Sequence, residues 1–199
     1  MSDAAELAAL LARRRADGAD LAAIDAAITA RFGRTLAVMF TDLVGFSRAV
    51  EAFGIVHFLQ LIDEAEALFL PLAAQHGGRC VKREGDSLLL VFAEPADALA
   101  CARAMVAATV AVNPTRQPET RIEVCIGLGY GTMLCIDDGE LWGAELNAAS
   151  KLGEEIAHGG EILATGPFRD ALPQHRFEPH GELFGRRPAY RYREADGSA

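Results

Sequence analysis

The sequence is short of positive charge. It carries 19 Lys and Arg against 28 Asp and Glu, a formal net charge of −9 at pH 7. Nucleic acids and anionic membranes are held by clustered Lys and Arg, so neither partner class is expected. The one basic run, Arg13-Arg14-Arg15, lies in an alanine-rich helical stretch and reads as a solvated face. The four cysteines, Cys80, Cys101, Cys125 and Cys135, show no CxxC spacing, and all but Cys135 lie inside apolar segments. A reduced thiol packs there as a small hydrophobe, which points to a reducing, cytoplasmic setting. The stretch Ser2-Asp3-Ala4-Ala5-Glu6 lacks the basic and apolar regions of a secretory signal. The longest apolar helical stretch, Ala96 to Val112, is interrupted by Asp97 and Arg103, which argues against a membrane span. No long Pro/Ser linker and no internal repeat is evident.

What remains is enough for one sizeable core, since 51% of the 199 residues are hydrophobic. Residues 1–33 read as a helical segment, a candidate dimerisation or regulatory element, and 34–199 as the main domain. In the segment, Leu7, Leu10 and Leu11, then Leu21, Ile24 and Ile28, predict two short helices, with Asp20 as N-cap of the second.

From Thr35 onward the hydrophobic period alternates. Leu36–Leu43 reads as a buried strand, and Val50–Gln75 as one helix with Phe53, Val56, Leu59, Ile62, Ala65 and Phe69 on its apolar face. Gly77-Gly78 stops it, and two strands, Arg79–Arg83 and Ser87–Phe92, flank a Glu84-Gly85-Asp86 turn. Pro95 opens a second long helix to about Val112. Arg121–Gly131 predicts a strand rich in glycine, followed by a hairpin turn at Asp137-Asp138-Gly139, a helix over Gly143–Ala157 and a strand over Glu161–Thr165. The fold class is therefore α+β: a ferredoxin-like βαββαβ core with helices on one face of an antiparallel sheet, plus extra C-terminal strands to Tyr192.

Chemistry concentrates at Asp42 and Asp86, each standing where an apolar strand meets a glycine-containing turn. A carboxylate at the mouth of a strand is costly to bury alone, and a divalent cation is a natural partner for two. After Asp42, Gly45 and the free N–H groups of the turn can approach phosphate oxygens closely. Metal plus polyphosphate is the chemistry these two places suggest.

Three segments then carry a resemblance: Phe40-Thr41-Asp42-Leu43-Val44-Gly45-Phe46-Ser47, Val81-Lys82-Arg83-Glu84-Gly85-Asp86, and Leu141-Trp142-Gly143-Ala144-Glu145-Leu146-Asn147-Ala148-Ala149-Ser150-Lys151-Leu152. In this order and at these separations, the chain resembles a class III nucleotidyl cyclase catalytic domain, the family of adenylate and guanylate cyclases. The resemblance implies two Mg²⁺ or Mn²⁺ ions held by Asp42 and Asp86 with Leu43, and a phosphate-facing turn at Leu43, Val44, Gly45, Phe46 and Ser47. It implies Lys82 and Glu140 as the base-selecting pair, with Asp138 as an alternative to Glu140 in another hairpin register. Lysine at position 82 favours ATP over GTP.

Asn147 matches the asparagine that orients the ribose. Lys151 stands where the family usually has an arginine for the α-phosphate, and it keeps the charge without the planar fork of donors. The usual lysine of a Leu-Lys-Gly-like turn is replaced in Leu183-Phe184-Gly185, which leaves Arg186 or Arg187 to face the terminal phosphates. The family splits its site between subunits, so a head-to-tail homodimer with two composite sites is implied. The expected activity is an adenylate cyclase; the alternatives are a catalytically weak nucleotide-binding domain and a cyclase for another nucleoside triphosphate.

Overall fold

The computed structural model describes residues 2–137 and 139–194, with the backbone alone at residues 46–49. Two helices come first, α1 (Asp3–Arg14) and α2 (Leu21–Phe32). The Asp20 carboxylate accepts the Ala23 N–H at 3.0 Å, so the expected cap on α2 is present. Ile24, Ile28 and Phe32 of α2 are buried together with Ile136, which seats the helical pair on the sheet.

Strand β1 (Gly33–Leu43) follows, then α3 (Phe46–Phe53) and α4 (Ile55–Gln75). The single helix expected over Val50–Gln75 is thus broken at Gly54. Its φ of 86° is a left-handed backbone that glycine adopts freely and that no helix continues through. Next come the hairpin β2 (Arg79–Glu84) and β3 (Ser87–Phe92), helix α5 (Pro95–Val112) and the long strand β4 (Val124–Ile136). The chain ends with β5 (Glu140–Trp142), α6 (Ala144–Lys151), a π-type turn over Leu152–Ile156, β6 (Ile162–Thr165), α7 (Gly166–Asp170), β7 (Arg176–Leu183) and β8 (Arg187–Arg193).

The sheet runs β2-β3-β1-β4-β6-β8-β7, with β5 folded back on β4. Its first four strands have the ferredoxin-like order, and every pairing is antiparallel except β4 with β6. Helices α4 and α5 cover one face, where Phe58, Phe69, Leu99 and Met105 are buried over Met39, Leu90 and Phe92. Each such side chain contributes about 1.5–3 kcal/mol when fully buried. By composition α5 with its following turn is long and apolar enough to cross a membrane, but Ala98, Leu99, Cys101, Ala102 and Met105 are spent on this core.

The other face is not open, as a one-sided helix layer would leave it. Helix α6 lies across it, burying Ala149 with Val38, Val91 and Met133. This explains three consecutive fully buried residues in β1, Ala37, Val38 and Met39, since both faces are covered. It also explains the glycines of β4. A Cβ at Gly127 would lie 2.0 Å from the Ala149 carbonyl oxygen, and one at Gly129 would lie 2.6 Å from that of Glu145. Only bare backbone lets α6 sit this close.

Candidate active site

Asp42 is the next-to-last residue of β1, opposite Cys125 of β4. Thr41 beside it is buried, and its hydroxyl accepts the Leu88 N–H at 3.3 Å, which ties the strand end to β3. Asp42 therefore emerges at a fixed point. Two residues on, the Val44 N–H donates to the Glu123 backbone carbonyl at 3.0 Å, and Gly45, at φ 89°, turns the chain into α3. Phe46 and Ser47, the remaining residues of the phosphate-facing turn, have side chains outside the described residues.

The β2–β3 hairpin brings up the second carboxylate. Glu84 pairs with Ser87 across a Gly85-Asp86 turn, with Gly85 at φ 59°. The Ser87 hydroxyl donates to Asp42 Oδ1 at 3.0 Å, so the hairpin and the end of β1 share one corner. Burial, then the nearby Asp86 charge, push the Asp42 pKa up to about 6; Glu154 adds to this and the Ser87 hydrogen bond opposes it. Burial also raises Asp86, against the backbone N–H groups of Asp86 and Leu43, which favour its charged form. Two half-buried carboxylates, both disfavoured as anions by burial and Asp42 further by the Asp86 charge, are a site waiting for positive charge.

Among the described residues, no three His, Cys, Asp or Glu side chains converge as a closed metal cage. The protein offers two carboxylates and the Leu43 backbone, leaving most of an octahedral shell to water and substrate oxygens. That donor set fits Mg²⁺ or Mn²⁺ bound together with a polyphosphate.

Beside the corner lies a groove of about 470 Å³. It is lined by Lys82 and Glu84 from β2, Ser87 from β3, Glu140, Leu141 and Trp142 from β5, and Leu146, Asn147, Ser150 and Glu154 from α6 and its π turn. Lys82, Glu140 and Asn147 are thus brought together, and Ser87 joins the groove to the carboxylate corner. Lys82 donates to Glu84 at 2.5 Å, with both side chains more than half exposed. Asp138, the alternative to Glu140, lies outside the described residues.

Lys151 does not line the groove. It ends α6, pairs with Glu155 one turn on, and lies 5.7 Å from the ring centre of Phe184. Arg187 pairs with the buried Glu145 and donates to the Ala144 carbonyl at 3.2 Å, so its charge is engaged within the fold. Arg186 is exposed.

Sequence reasoning passed over Ser87, Ser150 and Glu154. Ser87 follows Asp86 directly and was visible as a hydroxyl beside a carboxylate. Ser150 faces the groove because it lies one turn after Asn147 on α6, and Glu154 follows it from the π turn over Leu152–Ile156; such turns recur at functional sites.

Comparison with known proteins places this geometry. Residues 29–186 match the adenylate and guanylate cyclase catalytic domain. An adenylate cyclase of Streptomyces coelicolor is 31% identical over 149 residues, 75% of this chain and 37% of its own length. One of Streptomyces griseus is 28% identical over 145 residues, 73% of this chain and 34% of its own. The chain spans 22–37% of the length of these and a further curated relative from Rhizobium meliloti. Among solved structures, an adenylate/guanylate cyclase/hydrolase from Silicibacter pomeroyi superposes with a TM-score of 0.72 at 24% identity, covering 82% of this chain and 98% of that one. A corner of two carboxylates on β1 and the β2–β3 turn, a groove shared with α6, and a family match over most of the chain agree: this chain belongs to the adenylate and guanylate cyclase catalytic domain family.

Proposed function

We propose that the chain is an adenylate cyclase that converts ATP to 3′,5′-cyclic AMP and pyrophosphate. The observation that carries this reading is the convergence of Lys82, Glu140 and Asn147 on one groove, a base and ribose half-site, and of Asp42 and Asp86 at an adjoining corner, a metal half-site, so that each chain offers both halves to a partner. Lys82 donates to an adenine ring nitrogen and Glu140 accepts from the exocyclic amine, a pattern that guanine, with its carbonyl, does not match. Asn147 supplies a donor and an acceptor to the ribose. Gly45 and the first residues of α3 present backbone N–H groups to the phosphates, while the Val44 N–H is held by the Glu123 carbonyl.

The ribose 3′-hydroxyl attacks the α-phosphorus in line, and the bond to the β-phosphate oxygen breaks. Two Mg²⁺ or Mn²⁺ ions, held by Asp42, Asp86 and the Leu43 backbone, would favour the alkoxide and neutralise the triphosphate. Lys151 stabilises charge on the α-phosphate as a point cation. Without the bidentate fork of an arginine, turnover is low.

The site is composite: Asp42 and Asp86 of one protomer face Lys82, Glu140, Asn147 and Lys151 of its partner in a head-to-tail dimer. The N-terminal segment 1–33, whose helix α2 packs against the end of β4 that leads to Glu140, acts as a dimerisation or regulatory element in a cytoplasmic protein.

The test is product formation from ATP, GTP, CTP and UTP with Mg²⁺ or Mn²⁺, beside Asp42→Ala. Cyclic AMP that the variant abolishes is the expected result. A different cyclic product overturns the base assignment, and ATP binding without turnover overturns the enzyme reading.

A further inference from the structure

Helix α6 meets the β7–β8 hairpin at two points. Near its start, Glu145 is buried between Arg187 of β8 and the Thr165 hydroxyl, which donates to it at 2.6 Å. This ionic anchor fixes the hairpin against the helix. Near its end, the Lys151 ammonium lies 5.7 Å from the centre of the Phe184 ring, within cation–π range. The two contacts bracket the helix that also carries Asn147.

Phe184 is an odd residue for its position. It opens the short loop between the paired Leu183 and Arg187, with a left-handed backbone at φ 52° that bulky side chains rarely adopt. The residue is 53% exposed, so core packing does not account for it. Glycine would suit the backbone and a polar residue the solvent. Among the described residues, the contact its ring makes is with the Lys151 ammonium. The chain has two lysines in all, Lys82 and Lys151, among 19 Lys and Arg.

We propose that Phe184 is a positioning residue for Lys151: its ring face holds the ammonium at the end of α6, where it can meet the substrate phosphate. Glu155 occupies one of the three N–H donors and the ring restrains the stem, leaving donors for phosphate oxygens. The Arg187–Glu145 anchor sets where the loop, and hence the ring, stands. This inference rests on the cyclase reading for its consequence in catalysis, but the contact itself is testable without activity.

Reductive ¹³C-dimethylation keeps the lysine charge and gives separate side-chain signals for the two lysines, assigned with Lys151→Arg. The Lys151 methyl signal is expected upfield from ring current, to lose that displacement in Phe184→Gly, and to keep it in Phe184→Tyr. In unmodified protein, Phe184→Gly is expected to lower kcat about two- to fivefold with KM for ATP unchanged, while Phe184→Tyr retains kcat. Phe184→Gly also relieves the left-handed backbone, so its Tm is expected to hold or rise. A falling rate with a rising Tm is not what a merely structural residue gives. A Lys151 signal indifferent to Phe184→Gly, or an unchanged kcat, overturns the proposal. Wild-type protein that makes no cyclic nucleotide overturns the cyclase reading instead, and the methyl signal still decides whether Phe184 holds Lys151.

Discussion

Ser87 Oγ donates a 3.0 Å hydrogen bond to Asp42 Oδ1, latching the β2–β3 hairpin onto the end of β1 at the carboxylate corner. That bond is the main local support for a negative charge that burial and Asp86 otherwise disfavour. The corner is therefore built for a cation and costs stability without one.

Asp42→Asn makes this visible. With a pKa of about 6 in the fold against 3.8 ordinarily, Asp42 binds its proton more tightly folded than unfolded. Stability from this group is then fullest below about pH 4 and falls as pH rises to about 6. Asparagine mimics the protonated form and still accepts from Ser87. In EDTA, the Tm advantage of Asp42→Asn over wild type is expected to grow between pH 4.5 and pH 7.5, whereas in Mg²⁺ or Mn²⁺ the variant's cyclase activity is expected to fall on the order of 100-fold or more below wild type. A variant less stable than wild type at pH 7.5 would show that the carboxylate is not strained.

The glycines of β4 yield a second prediction. A Cβ at Gly127 would meet the Ala149 carbonyl oxygen at 2.0 Å and the Gly153 nitrogen at 2.7 Å, both backbone atoms that cannot rotate away. Gly127→Ala must lift α6 from the sheet, at a cost of about 3 kcal/mol or more. Urea unfolding measures this. Lost activity should outrun lost stability, because Asn147 moves with the helix.

These elements differ in how far the sequence announced them. Strand β1 and α5 were legible because each is an apolar run bounded by glycine or proline, and the Gly85-Asp86 turn because a charged, glycine-containing break separates two strand-forming runs. The break at Gly54 was not, since apolar residues from Phe53 to Phe69 keep a helical period straight through it. The glycines of β4 showed where something must approach closely, but not that α6 covers the second face of the sheet. That is non-local packing. Lys82, Glu140 and Asn147 were named through resemblance rather than spacing. The Glu145–Arg187 and Lys151–Phe184 contacts span separations too long for any local pattern to indicate.

Lys82 does not meet a purine unencumbered, because it is paired to Glu84 at 2.5 Å. Both side chains are exposed, so the pair is worth about 1 kcal/mol or less. Binding adenine must compete with it. Glu84→Gln is expected to lower KM for ATP about two- to fivefold with kcat unchanged, read from steady-state kinetics. A raised KM would mean that Glu84 orients the lysine instead of competing for it.

The composite site makes a numerical prediction that no single-chain site shares. In a mixed dimer of Asp42→Ala and Lys82→Ala chains, one site receives both defects and the other receives none. Each variant alone is inactive, because both of its sites carry a defect. Random mixing puts half of all chains in mixed dimers, so activity should recover to about a quarter of wild type. The recovery should grow with time as subunits exchange and vanish when each variant is assayed separately. Were the corner and groove of one chain to act on the same ATP, every site in the mixture would carry one defect, and recovery would be nil at any mixing ratio.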